Sequence, residues 1–150
     1  MKWAVEANNL TKLFGDIRAL DGMSFKVKEG EIFGLIGPNG AGKTTALRIV
    51  STLILPTSGS VEIFGRDVVR EASEIRKLIS YLPEEAGAYK NLSGYEYLQF
   101  MGKFGSEGKN HLKEIVEDAA KISGLGDRLK DRVKTYSKGM KRRLLVARAL

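Results

Sequence analysis

One run of eight residues, Gly37-Pro38-Asn39-Gly40-Ala41-Gly42-Lys43-Thr44, constrains this chain more than any other. A glycine, four residues and then Gly-Lys-Thr is the spacing of a loop that wraps phosphate, and such a loop needs a strand before it and a helix after it. The flanks fit. Glu31-Ile32-Phe33-Gly34-Leu35-Ile36 is a short apolar run that predicts a buried strand, and residues 44–52 place Ala46, Leu47, Ile49 and Val50 on one face of a helix. Gly40 and Gly42 lack a Cβ, so their backbone can approach phosphate oxygens closely. The first amides of the helix have no intrahelical acceptor and, with the helix dipole, form an anion site. Lys43 brings a mobile charge to the β and γ phosphates, the Thr44 hydroxyl is placed to ligate Mg²⁺, and Thr45 can reach the α phosphate. The run is expected to bind a nucleoside triphosphate; the competing reading is a Gly-rich turn that ends in Lys-Thr by chance.

A chain of 150 residues, 43% hydrophobic and 29% charged, fits one soluble globular domain with a core of its own. It has no stretch of 18 apolar residues and no basic start followed by an apolar centre, so neither a membrane span nor a standard secretion signal is expected. With no cysteine and a single histidine, His111, it has no thiolate metal site, disulfide or imidazole cluster. One glutamine, no cysteine and many charges lean towards a heat-adapted source. The net charge of +7 is local: residues 1–126 hold 16 basic and 16 acidic side chains, whereas residues 127–150 hold nine and two. Such a run reads as a solvated helix face or as a contact with a partner or phosphate, and no motif for sequence-specific nucleic-acid reading accompanies it.

Along the chain, residues 3–27 alternate in short stretches broken by Gly15-Asp16 and Asp21-Gly22, which predicts small antiparallel strands and turns. Pro56-Thr57-Ser58-Gly59 is a turn leading into a strand over 61–65. Residues 71–77 read as a short helix, and 78–82 as a strand stopped by Pro83. From Ser93 the apolar period changes from two to about 3.6. Tyr95, Leu98 and Met101 share a face of one helix; Leu112, Ile115, Val116 and Ala119 share a face of another, which ends near Ser123-Gly124. Ser137 is the expected N-cap of a last helix with Leu144, Leu145 and Ala149 inward and Lys141 and Arg142 outward. Trp3, Tyr95 and Tyr97 read as packing residues.

Four markers, in order, make the whole chain resemble the nucleotide-binding subunit of ABC transporters. Phe14, in Leu13-Phe14-Gly15, stands 23 residues before Gly37, where that family has an aromatic that stacks on adenine. The phosphate loop has the family's form through Thr45. Ile79-Ser80-Tyr81-Leu82-Pro83-Glu84 is similar to the loop that joins core to helical subdomain, and Tyr136-Ser137-Lys138-Gly139-Met140 stands where the family has Leu-Ser-Gly-Gly-Gln. There are departures. Glu84 replaces the family's glutamine; it can hold Mg²⁺ or orient water, or be a solvated loop acid. The alternative for Phe14 is an ordinary apolar residue at a strand end. In the signature, Ser137 and Gly139 match, while Tyr136, Lys138 and Met140 do not.

The resemblance implies an α/β fold, a P-loop NTPase core with a small antiparallel β part and a helical subdomain. Residues 1–84 would be the core and 85–150 the helical subdomain, with the chain stopping before the Walker B strand, whose Asp-Glu end nothing in this sequence matches. It implies ATP and Mg²⁺ as ligands. Phe14, Gly37, Pro38, Asn39, Gly40, Ala41, Gly42, Lys43, Thr44, Thr45, Ser137 and Gly139 would contact nucleotide, Lys43 and Glu84 would act in catalysis, and Thr44 and Glu84 would hold the metal. A second ATP-binding subunit would close the site, and a membrane permease, with no specific nucleic acid, would be the partner. The expected place is the cytoplasmic face of the cell membrane, the expected role an exporter ATPase, and the 150 residues alone are expected to be hydrolytically inactive. A soluble ATPase of the same superfamily acting on DNA or ribosomes, and a non-catalytic nucleotide-binding module, are the alternatives.

Overall fold

The computed structural model describes residues 3–83, 86–106 and 108–149. The chain divides into two compact units, Met1–Ile79 and Ser80–Leu150.

In the first unit, β1 (Trp3–Phe14) and β2 (Ile17–Lys28) form a long antiparallel hairpin that turns at Gly15-Asp16. The register pairs Ala7 with Phe25, Lys12 with Leu20 and Phe14 with Ile17. Asp21-Gly22, expected to break the strand, lies inside β2 instead. Gly22 takes a φ of 67°, and the Thr11 hydroxyl accepts its N–H, so the irregularity is absorbed without ending the pairing. After α1 (Lys43–Val50), β3 (Ser58–Ile63) pairs antiparallel with β1, and the two-residue β4 (Arg66–Asp67) completes a sheet in the order β2-β1-β3-β4. A one-turn α2 (Ala72–Ile75) follows. Ala7, Leu10, Leu20, Val61, Ile63, Val68 and Ile75 are buried with Ala46 and Ile49 of α1, and this shared core fixes where the helix starts.

The apolar run before the phosphate loop is unpaired. Among the described residues no strand lies beside residues 31–36, so the expected buried strand does not form its ladder; the same holds for residues 78–82. The run packs by only part of its apolar surface. Phe33 stacks on Phe25 at 5.4 Å and Leu35 packs on the core, whereas Ile32 and Ile36 are fully exposed. A strand is made by its neighbours, and an apolar run alone supplies only half of that condition.

The second unit is helical. Ser93 caps α3 (Gly94–Gly102) in a reciprocal box: Glu96 N–H donates to the Ser93 hydroxyl at 3.1 Å, and Ser93 N–H donates to the Glu96 carboxylate at 2.7 Å. These bonds favour the ionised acid, so the Glu96 carboxyl is held below its ordinary value. In α3, Tyr97 and Leu98 are buried while Tyr95 stays exposed, so the packing tyrosine is Tyr97 rather than Tyr95. In α4 (Lys109–Ser123), Val116 and Ala119 are buried and Leu112 packs against the same core. The helix ends at Gly124 with φ of 57°. Two 3₁₀ turns, Gly126–Lys130 and Val133–Thr135, lead to α5 (Lys138–Ala149), whose Leu144, Leu145 and Ala147 complete the core. Among the described residues no helix is long and apolar enough to cross a membrane.

Candidate functional site

Everything about the start of α1 leaves its positive end open to an anion. Gly42 is the N-cap, with φ of 82° and ψ of 2°, and having no side chain it caps nothing. There is no acidic residue in the first turn to neutralise the dipole, and Arg48 sits in the last turn, where a cation is favourable. The glycine is also sterically required. A Cβ at Gly42 would collide with the Ala19 carbonyl oxygen and the Leu20 side chain of β2, so the hairpin presses directly on the loop and fixes its height. Gly40, with φ of 84°, meets nothing within 4 Å, so its requirement is conformational alone. The backbone of the loop is tightened by Ala41 N–H donating to the Pro38 carbonyl at 3.2 Å, and α1 opens with Ala46 N–H on the Gly42 carbonyl at 2.8 Å.

Lys43 folds back over this cradle. Its ammonium donates to the carbonyl oxygens of Gly37 and Pro38, each at 2.6 Å, which holds a positive charge across the loop and leaves the third ammonium hydrogen uncommitted. Thr44 is exposed and Thr45 half-buried, both in the first turn of α1. Asn39 lies at the exposed tip of the loop. The set is rich in donors and has no carboxylate, which fits a polyanion. Among the described residues no cluster of three His, Asp or Glu side chains could hold a metal by itself.

Phe14 closes β1 at the hairpin tip and is 48% exposed. The Lys12 ammonium lies over its ring, 4.9 Å from the centroid. That contact was invisible in the sequence, where Lys12 is one lysine among many; its spacing of two from an aromatic on a strand is the signal that could have found it.

Ser137 and Gly139 belong to the second unit, at the start of α5. The Ser137 hydroxyl accepts the Met140 N–H at 3.2 Å, as expected of an N-cap. Both residues are exposed, and a Cβ on Gly139 would meet nothing closer than the Ser137 hydroxyl at 3.9 Å, so no packing inside the unit calls for glycine there. Tyr136, the departure that precedes them, is structural. It is buried, its hydroxyl donates to the Arg128 carbonyl at 2.6 Å, and Gly94 is glycine because a Cβ would strike that hydroxyl. Burial, and then the nearby Asp131 carboxylate, push its phenol above the ordinary tyrosine value.

Much of the basic excess is committed internally. Arg143 donates to the Ser123 carbonyl at 2.8 Å and to that of Gly124, capping α4; Arg148 donates to the buried Tyr97 hydroxyl at 2.8 Å. Arg128 and Lys130 pair with Asp131 and Asp127. Lys138 and Arg142 remain exposed, with Lys141 half-buried between them. Glu84, the candidate catalytic and metal-binding acid, lies outside the described residues.

A sequence model of the ABC transporter family matches residues 20–150. An uncharacterized ABC transporter ATP-binding protein of Bacillus subtilis (strain 168), YhcH, is 41% identical over 150 residues, covering all of this chain and 48% of that protein. The bacitracin transport ATP-binding protein BcrA of Bacillus licheniformis is 40% identical over 151 residues, again with 100% and 48% covered. The daunorubicin/doxorubicin resistance ATP-binding protein DrrA of Streptomyces peucetius is 37% identical over 147 residues, covering 98% of this chain and 44% of its own. The chain thus spans about half the length of the curated relatives it matches. Among solved structures, cbiO1 of Clostridium perfringens, part of the ABC transporter complex cbiONQ, superposes with a TM-score of 0.85 at 22% identity. It covers 100% of this chain and 62% of that one, a likeness of fold.

Proposed function

The chain belongs to the ABC transporter family, and we propose that it is the ATP-binding part of a subunit that drives export through a separate membrane permease at the cytoplasmic face. The observation that carries the ATP-binding half of this reading is the start of α1: an open helix N-terminus, set by Gly42 against β2, with the Lys43 ammonium held across the loop. Residues 1–84 serve as the nucleotide-binding core and 85–150 as the helical subdomain. The backbone from Gly37 to Gly42, with Pro38, Asn39, Gly40 and Ala41, cradles the phosphates; Lys43 exchanges its two carbonyl contacts for phosphate oxygens. Phe14 is the base platform. Thr44, with Glu84, holds Mg²⁺, which when bound offsets charge on the phosphates. Export as the direction draws on the bacitracin and daunorubicin/doxorubicin names of the relatives.

Ser137 and Gly139 complete the site of a second copy. Two exposed residues, a hydroxyl and a glycine that no internal packing requires, suit the close approach of a phosphate held by another subunit. Hydrolysis should therefore rise steeply with protein concentration in the whole subunit. The 150 residues alone should bind ATP without turnover, because their sequence has no apolar strand ending in Asp-Glu to polarise water. Phosphate release across a concentration series tests this, with Ser137→Arg as control; full activity of Ser137→Arg at every concentration would refute the shared site, and turnover by the 150 residues alone would refute their inactivity.

A further inference from the structure

We infer that Lys12 is a positioning residue at the base end of the nucleotide site, occupying one face of the Phe14 ring so that a purine stacks on the other. The inference rests on the proposed reading of Phe14 as the base platform. Its ammonium stands 4.9 Å from the ring centroid, within cation–π range. Among the described residues no carboxylate pairs with it, so the ring is its specific partner. The contrast is Trp3, where Lys26 lies 5.4 Å from the ring but is also bonded to Glu6 at 2.6 Å, and its charge is compensated.

Position joins this contact to the phosphate loop. Lys12 pairs across the hairpin with Leu20, and Leu20 is the side chain that a Cβ at Gly42 would strike. The ring, its cation and the loop are thus held by one pair of strands. No other ring stacks on Phe14 among the described residues, so its remaining exposed surface is available to a flat ligand. An aromatic face is negative, and so is the face of a purine; unassisted stacking carries that repulsion. An ammonium on the far side draws π density towards itself and leaves the outer face less negative. The same positive charge then attracts the purine through the ring.

The contribution of one exposed cation–π contact corresponds to roughly two- to fivefold in affinity. Lys12→Met keeps the aliphatic stem and removes the charge; Lys12→Arg keeps both charge and stacking. The experiment titrates ATP, and separately inorganic triphosphate, onto the chain and onto Lys12→Met, Lys12→Arg, Phe14→Ala and the Lys12→Met/Phe14→Ala double variant at fixed salt. Lys12→Met should weaken ATP by that factor, leave inorganic triphosphate unchanged, and have no further effect once Phe14 is gone; Lys12→Arg should bind ATP as the parent does. Equal weakening of ATP and inorganic triphosphate would overturn the inference, because the charge would then act on phosphate. Unchanged ATP binding in Lys12→Met beside weakened binding in Phe14→Ala would overturn the role of Lys12 alone and leave the platform standing. Parent-like ATP binding in Phe14→Ala would remove the platform, and this inference with it.

Discussion

Replacing Gly42 by alanine should injure the chain twice, and replacing Gly40 the same way should not. Both glycines sit in left-handed backbone, with φ of 82° and 84°. An L-residue there costs about 1–2 kcal/mol, against which alanine returns about 0.4–1 kcal/mol by restricting the unfolded chain. Gly40→Ala should therefore cost about 0–1.5 kcal/mol, since its added methyl meets nothing within 4 Å. At Gly42 the methyl runs into the Ala19 carbonyl oxygen and Leu20. A strand backbone cannot rotate away as a side-chain tip can, so an overpacking cost of about 1–3 kcal/mol is added. For a unit of this size 1 kcal/mol moves the melting temperature by about 4–8 °C, and Gly42→Ala should melt at least about 4 °C below Gly40→Ala. If the loop relieves the clash by lifting off β2, Lys43 and the first amides of α1 move with it, and ATP affinity falls as well. Thermal melts and ATP titrations of the two variants measure both effects. Equal melting temperatures with unchanged ATP binding in Gly42→Ala would refute the idea that the hairpin sets the height of the loop.

Three further outcomes are expected. Tyr136→Phe should lower the stability of the helical unit by about 0.5–1.5 kcal/mol, the net worth of one hydrogen bond, while leaving ATP affinity unchanged; a loss of binding at full stability would make the residue functional instead. The Glu96 carboxyl, held low chiefly by the Ser93 N–H, stabilises α3 above the ordinary carboxylate value, and that contribution disappears as pH falls through its lowered folded value. The melting-temperature gap between the parent and Glu96→Gln should accordingly be open at neutral pH and close in acid, and a gap that does not change with pH would contradict the charged cap. Ser137→Ala should weaken the N-cap of α5 by about 1 kcal/mol, read in a melt, and in the whole subunit it should lower hydrolysis without altering how tightly one copy binds ATP.

What the sequence made legible was whatever rests on neighbours along the chain. The turn at Gly15-Asp16, the cap at Ser137, the stop at Gly124 and the helix that follows the phosphate loop all depend on residues within a few positions of each other, and each stands where the pattern put it. The misses have a common cause. Residues 31–36 and 78–82 are short apolar runs of the kind that strands use, yet a ladder needs a partner in register, which local composition cannot supply. Tyr95 and Tyr97 both fit a helical face, and the buried Tyr97 hydroxyl is decided by Arg148, 51 residues away. The basic end read as solvated surface or partner contact, whereas Arg143 spends its charge on the carbonyls that end α4. Lys12 beside Phe14 is the functional counterpart: a ring contact set by the path of a strand, with no motif to announce it.

The central claim, that the start of α1 is a phosphate site completed by one lysine, is tested most directly by titrating ATP onto the chain and onto Lys43→Ala. The substitution replaces the first helical residue with a strong helix former, so the fold should survive. Each charge-assisted bond to phosphate is worth about 1.5–3 kcal/mol, so the account predicts an affinity lower by about tenfold to more than a hundredfold in a folded protein. A folded Lys43→Ala chain that binds ATP as tightly as the parent would contradict it.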